Sequence, residues 1–109
     1  MNPSYVKGRR FEYRVRDFFR AHGFLVIRPA QSKPVDLICL RKGVMVLVEC
    51  KTDKHALRKR EKQALLEMAE TTSATPVLAY REKRQIKLLN LKSGTPLLRI
   101  ESLLWRPPS

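Results

Sequence analysis

The feature that most constrains the fold of this sequence is a pair of apolar runs separated by a short polar break. The runs occupy residues 35–40 and 44–48, and Asp36 is the one charged side chain within them. The break, Arg41-Lys42-Gly43, contains a glycine of the kind that tight hairpin turns favour. Because apolar residues fill both faces of both runs, we expect two antiparallel strands in the interior of a sheet. Such a hairpin must be covered on both sides, which predicts a layered α/β domain.

The rest of the chain supplies helices and strands that cover and extend this hairpin. Apolar residues recur on one helical face over residues 4–22, and Gly23 follows where a helix would end. A second amphipathic helix is predicted over residues 53–72. Shorter apolar runs predict strands over 24–27, 77–80 and 86–91, with a loop over 29–34, whereas 96–105 carries no firm pattern. We therefore expect one mixed central sheet flanked by helices.

Composition indicates a single domain, residues 1–109, with a polyanionic partner. The chain has 23 Lys+Arg against 10 Asp+Glu, a net charge of +13, and a pI near 10.5. Since neutralising phosphates releases counterions, this balance favours nucleic acid. We find no long apolar run, signal-peptide pattern or lipidation motif, so no membrane partner is expected. Cys39 and Cys50 sit in apolar stretches as in a reducing compartment, and we expect a cytoplasmic location, in a prokaryotic cell or in the host of a virus.

In so basic a chain, the acidic residues inside apolar strands carry the most information. If the hairpin turns on Lys42-Gly43, Asp36 falls directly opposite Glu49, where facing carboxylates suit a shared cation and repel each other without one. Lys51 then points to the same face as Glu49. Two hard oxygen ligands and a lysine predict a Mg²⁺ site for phosphodiester hydrolysis.

Less specific interpretations remain open at this point. A turn longer by one residue would place Asp36 opposite Val48, and a bulge would be needed to restore the pairing. The two carboxylates and Lys51 could instead form a structural ion pair in a non-catalytic nucleic-acid-binding protein. A metal-independent RNA endonuclease would need a histidine base, and neither His22 nor His55 has a suitable neighbour in the sequence.

Glu12 is a third acidic candidate for the site. It lies beside the apolar stripe of the first helix, on a helix otherwise rich in arginine, and helix packing would bring its carboxylate over the sheet. The alternative is an ordinary intrahelical ion pair with Arg9 or Arg16.

Together these motifs resemble a known family. The order Lys7-Gly8-x-x-x-Glu12, His22-Gly23-Phe24, Arg28, Ser32-Lys33-x-Val35-Asp36-Leu37 and Glu49-Cys50-Lys51 is similar to that of the archaeal-type Holliday junction resolvases. These form the Hjc family, within the PD-(D/E)XK nucleases of restriction-endonuclease-like fold. The resemblance is clear over residues 5–54 and extends further only in the order of elements.

The resemblance implies a Mg²⁺-dependent endodeoxyribonuclease of DNA recombination and repair, with Mn²⁺ able to substitute, that resolves four-way junctions by paired symmetric nicks. It implies a homodimer without a small-molecule substrate, since two symmetric nicks need two sites. The implied catalytic residues are Glu12, Asp36, Glu49, Lys51 and Ser32, of which Glu12, Asp36 and Glu49 hold the metal. The residues expected to contact DNA are Lys7, Arg9, Arg10, Arg14, Arg28, Lys33, Lys54 and Arg58.

Two departures from the family pattern bear on these expectations. Tyr13 occupies the position after Glu12 where the family often has arginine, and the chain beyond Leu57 lacks the aromatic-rich helix associated with the dimer interface. An apolar C-terminal segment, with Leu97, Leu98, Leu103, Leu104 and Trp105, is a candidate interface, with core packing as the alternative. Activity on flap, nicked or duplex DNA stays open as a rival function, because a related nuclease would use the same residues.

Overall fold

A computed structural model describes residues 3–30 and 35–104 of the chain. Within these residues, six strands form one mixed sheet in the order of the sequence, and two α-helices and a short 3-10 helix pack against it. The elements are α1 (Pro3–Ala21), β1 (Leu25–Ile27), β2 (Leu37–Arg41), β3 (Val44–Lys51), α2 (Lys59–Thr72), β4 (Thr75–Glu82), β5 (Gln85–Asn90), β6 (Thr95–Leu97) and the 3-10 helix Ile100–Leu103. The α/β class and the mixed central sheet are as predicted.

The β2–β3 hairpin has the predicted register. Arg41 pairs with Val44, and the two residues between them, Lys42 and Gly43, both have positive φ, 43° and 82°. The pairing continues to Leu37 opposite Val48, so the longer turn is ruled out. Asp36 is one residue before β2 and therefore stands opposite Glu49.

Helix α2 connects β3 to β4, which run parallel, whereas all other neighbouring strands in the described sheet are antiparallel. Lys51, the last residue of β3, pairs with Tyr80 of β4. The carboxyl ends of these two central strands thus share one edge of the sheet, and we call this edge the carboxyl edge of β3. Both hairpin strands are interior strands, as their apolar faces predicted.

Alternating strand residues divide the core into two clusters, one on each face of the sheet. On one face, Val46 and Val48 pack with Phe11, Val15 and Phe19 of α1. On the opposite face, the buried residues of α2 and of the strands include Leu65, Ala69, Leu47 and Leu78. This division follows from the two-residue period of strands. In the described part of the chain, no helix is long and apolar enough to cross a membrane.

The second helix begins later than predicted, at Lys59 and not at residue 53. The Asp53 carboxylate accepts the N–H of His55 at 2.7 Å, and the Asp53 carbonyl accepts the N–H of Ala56 at 3.0 Å. These local bonds form a turn that competes with helix. The remaining boundaries differ from prediction by a few residues, and β4 is longer because its ladder continues to Glu82.

The C-terminal segment serves mainly the core. Leu103 is buried, and Leu97 and Leu104 pack against the same cluster. These three residues therefore agree with core packing, the alternative to a dimer interface. Leu98 alone of the described leucines in this segment is open to solvent, with 91% of its surface exposed. Trp105, the remaining residue of the expected interface, lies outside the described residues.

Candidate active site

An open cleft of about 480 Å³ lies at the carboxyl edge of β3, between the first half of α1 and the start of α2. The charged residues that line it are Arg9, Glu12, Arg28, Asp36, Glu49, Lys51 and Glu61. The fold thus brings four of the five expected catalytic residues to one cleft. The fifth, Ser32, and the expected DNA contact Lys33 lie outside the described residues.

Asp36 and Glu49 are held face to face by reciprocal bonds to the backbone. The N–H of Cys50 donates to Oδ2 of Asp36 at 2.8 Å, and the N–H of Asp36 donates to Oε1 of Glu49 at 3.2 Å. These bonds satisfy backbone donors at the point where the β2–β3 ladder ends. Each carboxylate is therefore fixed by the strand that carries the other, which preorganises the pair.

The crowding of these carboxylates changes the titration of Glu49. Burial, the hydrogen bond with Asp36 and the nearby charge of Asp36 together raise the pKa of Glu49 to about 8. The ammonium of Lys51 lowers that pKa and the charge of Glu61 raises it, but neither reverses the outcome. A cation between the carboxylates would favour their charged forms.

The donor set fits a hard divalent cation such as Mg²⁺. This ion is often held by one or two carboxylates, with water and substrate phosphate as its other ligands. Asp36 and Glu49 form such a pair. Among the described residues, no three His, Cys, Asp or Glu side chains are placed closely enough to form a metal cluster. Glu12 lines the same cleft, and its role as a third metal ligand stays a prediction.

Glu12 is engaged by an arginine that is distant in the sequence. Its Oε1 accepts a hydrogen bond from Nε of Arg28 at 3.2 Å. The Arg28 guanidinium also lies 4.9 Å from the centre of the Tyr13 ring, and Arg16 stacks on the same ring at 4.6 Å. Tyr13, the departure from the family pattern, thus orients the arginine that contacts Glu12.

Glu61 is a site residue that the sequence patterns did not reveal. Its Oε2 lies 2.8 Å from Nζ of Lys51, while its Oε1 accepts the N–H of Arg58 at 2.9 Å. Partial burial raises the pKa of Glu61, but the hydrogen bonds from Lys51 and Arg58 outweigh it and lower the pKa below its usual value. A correct helix start would have placed Glu61 in the first turn of α2, which is a favoured position for an acid.

Of the expected DNA contacts that the structure describes, two line the cleft and the others lie on or just before the two helices. Arg9 and Arg28 line it, and Lys54 lies 5.9 Å from the centre of the Tyr80 ring beside Lys51. The remaining described contacts are exposed side chains on α1 or at the start of α2, namely Lys7, Arg10, Arg14 and Arg58. Arg9 and Arg28 therefore bring positive charge to the carboxylates, and both helices expose further basic side chains.

The fold and the cleft define a nuclease of restriction-endonuclease-like architecture, with paired carboxylates and a lysine at the end of a central hairpin. The family model described as "Archaeal holliday junction resolvase (hjc)" matches residues 3–100. The chain therefore belongs to the archaeal Holliday junction resolvase (Hjc) family, which confirms the resemblance seen in the sequence.

Individual relatives agree with this assignment. The chain is 36% identical over 93 residues to the "Crossover junction endodeoxyribonuclease Hjc" of Methanocaldococcus jannaschii, covering 83% of this chain and 70% of that protein. The solved structure of Archaeoglobus fulgidus Hjc, described as a Holliday junction resolvase from an archaeal hyperthermophile, is similar with a TM-score of 0.70. That match has 23% sequence identity and covers 79% of this chain and 74% of the other, and it supports the fold.

Proposed function

We propose that this protein is a Mg²⁺-dependent endonuclease that resolves four-way DNA junctions by paired symmetric nicks. The observation that carries the proposal is the facing pair Asp36 and Glu49, with Lys51 in the same cleft of a protein of charge +13. Family membership and the name of the curated relative support the same activity. Such an enzyme would act in DNA recombination and repair in the cytoplasm.

The residues of the cleft divide the chemistry among them. Asp36 and Glu49 would hold Mg²⁺ or Mn²⁺, with Glu12 as the third expected ligand. When bound, the metal supplies charge neutralisation at the scissile phosphate and a water of lowered pKa. Lys51 stabilises the negative charge that develops on the phosphate oxygens, and Glu61 fixes the position of its ammonium group. We keep Ser32 as a further catalytic residue on the family resemblance alone.

DNA binding would rest on contacts to the phosphate backbone, independent of sequence. The eight basic residues named above supply these contacts, most of them from α1 and the start of α2. Because each phosphate contact releases counterions, affinity for the junction falls steeply as salt rises.

A homodimer would place two such clefts on one junction, related by a twofold axis. Most of the described C-terminal segment packs in the core, so a dimer interface must be sought elsewhere. The edge strand β1 is a candidate for this interface. Leu25 and Ile27 project from the same face of β1 and are 64% and 42% exposed. We propose that these side chains lie in the dimer contact, and an Ile27→Lys variant that elutes as a monomer in gel filtration would support this.

The test of the proposed function is cleavage of a labelled synthetic four-way junction, with duplex and flap DNA as parallel substrates, in Mg²⁺, Mn²⁺ or EDTA. We expect paired symmetric nicks in the junction alone, and their loss in EDTA and in Asp36→Asn. The matched control is Asp17→Asn, because Asp17 is an exposed acid on α1 that pairs with Arg16 outside the cleft.

Two results would contradict the proposal in different ways. Equal cleavage of flap or duplex DNA would indicate a nuclease of broader selectivity that uses the same cleft. Tight, salt-sensitive binding without cleavage in any metal would indicate a binding protein, with Asp36, Glu49 and Lys51 in a structural ion pair.

A further inference from the structure

The turn between β4 and β5 has a backbone conformation that its residues do not favour. Glu82 pairs with Gln85, so the turn consists of Lys83 and Arg84, whose φ angles are 51° and 65°. Two-residue turns with positive φ at both positions favour Asn-Gly, because other side chains crowd the backbone there. The equivalent β2–β3 turn follows this rule at its second position with Gly43. The β4–β5 turn instead carries two long basic side chains in strained positions.

The strained turn lies on the catalytic side of the sheet. Because Lys51 pairs with Tyr80 in a parallel ladder, β4 runs past the carboxyl edge of β3 and ends in this turn two residues later. Lys83 is three residues beyond Tyr80, or about 10 Å further along the strand direction at roughly 3.3 Å per residue. The β2–β3 turn lies at the opposite end of β3, next to Val44.

A long-range hydrogen bond anchors the turn to the basic helix. Nη2 of Arg14 donates to the carbonyl oxygen of Arg84 at 3.1 Å. This bond uses the backbone of Arg84, and the side chains of Lys83 and Arg84 are exposed to solvent. The turn is therefore fixed in place beside α1, with its two cationic side chains available for a ligand.

We propose that Lys83 and Arg84 form a DNA contact that holds the phosphate backbone of a junction arm beside the cleft. Strain that persists at an exposed turn points to a function, since Asn or Gly would fold there more easily. This inference rests on the proposed function and adds the β4–β5 turn to its contact surface.

Two matched variants test the proposal. Lys83→Asn and Lys42→Asn are the same substitution, each at the first position of a two-residue turn with positive φ, and each removes one charge at opposite ends of the sheet. A third variant, Lys83→Asn/Arg84→Gly, installs the favoured turn sequence. It leaves the bond from Arg14 to the backbone in place.

The measurement is the dissociation constant of a synthetic four-way junction in EDTA across a range of salt concentrations. We expect the slope of log affinity against log salt to become shallower by about one for Lys83→Asn and about two for the double variant. The slope for Lys42→Asn should match that of the unchanged protein. We also expect the Tm of the double variant to rise by roughly 4 °C, because the turn loses its strain.

Equal slopes for Lys83→Asn and the unchanged protein would overturn the inference, as would equal losses for Lys83→Asn and Lys42→Asn. A Tm of the double variant below that of the unchanged protein would contradict the strain argument. These results are separate from the proposed function. If the unchanged protein cut no junction in Mg²⁺, the proposed function would fail, while the salt slopes could still be measured on duplex DNA.

Discussion

Glu49 gives the most quantitative prediction: Glu49→Gln should abolish cleavage and yet stabilise the metal-free protein at alkaline pH. In the folded protein, burial and the neighbouring Asp36 raise the pKa of Glu49 from 4.5 to about 8. At high pH, folding therefore partly buries a negative charge that the unfolded chain exposes to water, and this lowers stability. A glutamine carries no charge at any pH, and its amide oxygen can still accept the N–H of Asp36.

The sign and size of the effect follow from the two pKa values. The folded protein binds the proton of the Glu49 carboxyl more tightly than the unfolded chain does. The stability that this proton contributes is complete below pH 4.5 and is lost as pH rises through about 8. The difference between these two pKa values corresponds to an upper limit of about 5 kcal/mol for the loss in unfolding free energy. Because the side chain is partly exposed, screening by solvent reduces the expected loss to ~1–3 kcal/mol.

The assay is urea denaturation in EDTA at about pH 5, 7 and 9, where this linkage operates. The unfolding free energy of the unchanged protein should fall relative to that of Glu49→Gln as pH rises. Added Mg²⁺ should restore stability at pH 9 in the unchanged protein alone. Glu67→Gln is the control, since Glu67 is an exposed residue of α2. A constant difference between the unchanged protein and Glu49→Gln at all three pH values would refute the reasoning.

Three further predictions concern contacts described above. Glu61→Gln should slow single-turnover junction cleavage by roughly 10–100-fold with little change in affinity, because one amide oxygen cannot accept from both Lys51 and Arg58; an equal loss in affinity would argue against a positioning role. Phe19→Ala should lower the unfolding free energy by ~3–5 kcal/mol in urea, since the ring is fully buried, and a loss under about 1 kcal/mol would contradict the packing. Gly23→Ala should cost about 1 kcal/mol because φ is 83° there, and an unchanged urea midpoint would contradict this.

The sequence predicted those parts of the site that depend on local periodicity. A two-residue turn and a two-residue strand period determine which residues face each other, so the sequence alone could place Asp36 opposite Glu49. The apolar stripe that buries Phe11, Val15 and Phe19 likewise predicted α1 and the side of it that packs on the sheet. In both cases the deciding interactions repeat at short intervals along the chain.

Other parts depend on contacts that no local pattern encodes. The start of α2 is set by competing hydrogen bonds of Asp53, so its helical pattern predicted a helix that began too early. Once that boundary was misplaced, Glu61 lay in mid-helix and gave no sign of its contact with Lys51. One partner of Glu12 is Arg28, 16 residues away, whereas helical spacing indicates only neighbours on the same helix.

The Lys42–Gly43 turn has a consequence far from where it lies. Asp36 and Glu49 are each six residues from it, about 20 Å along the strands, yet their juxtaposition depends on the turn having two residues. One residue inserted within either strand, with the two-residue turn retained, would shift the pairing and turn the outer part of that strand over, separating the carboxylates while every site residue remained in the chain. In a lineage of such proteins, a single codon gained in one of these strands would therefore separate the two carboxylates, with no active-site residue replaced.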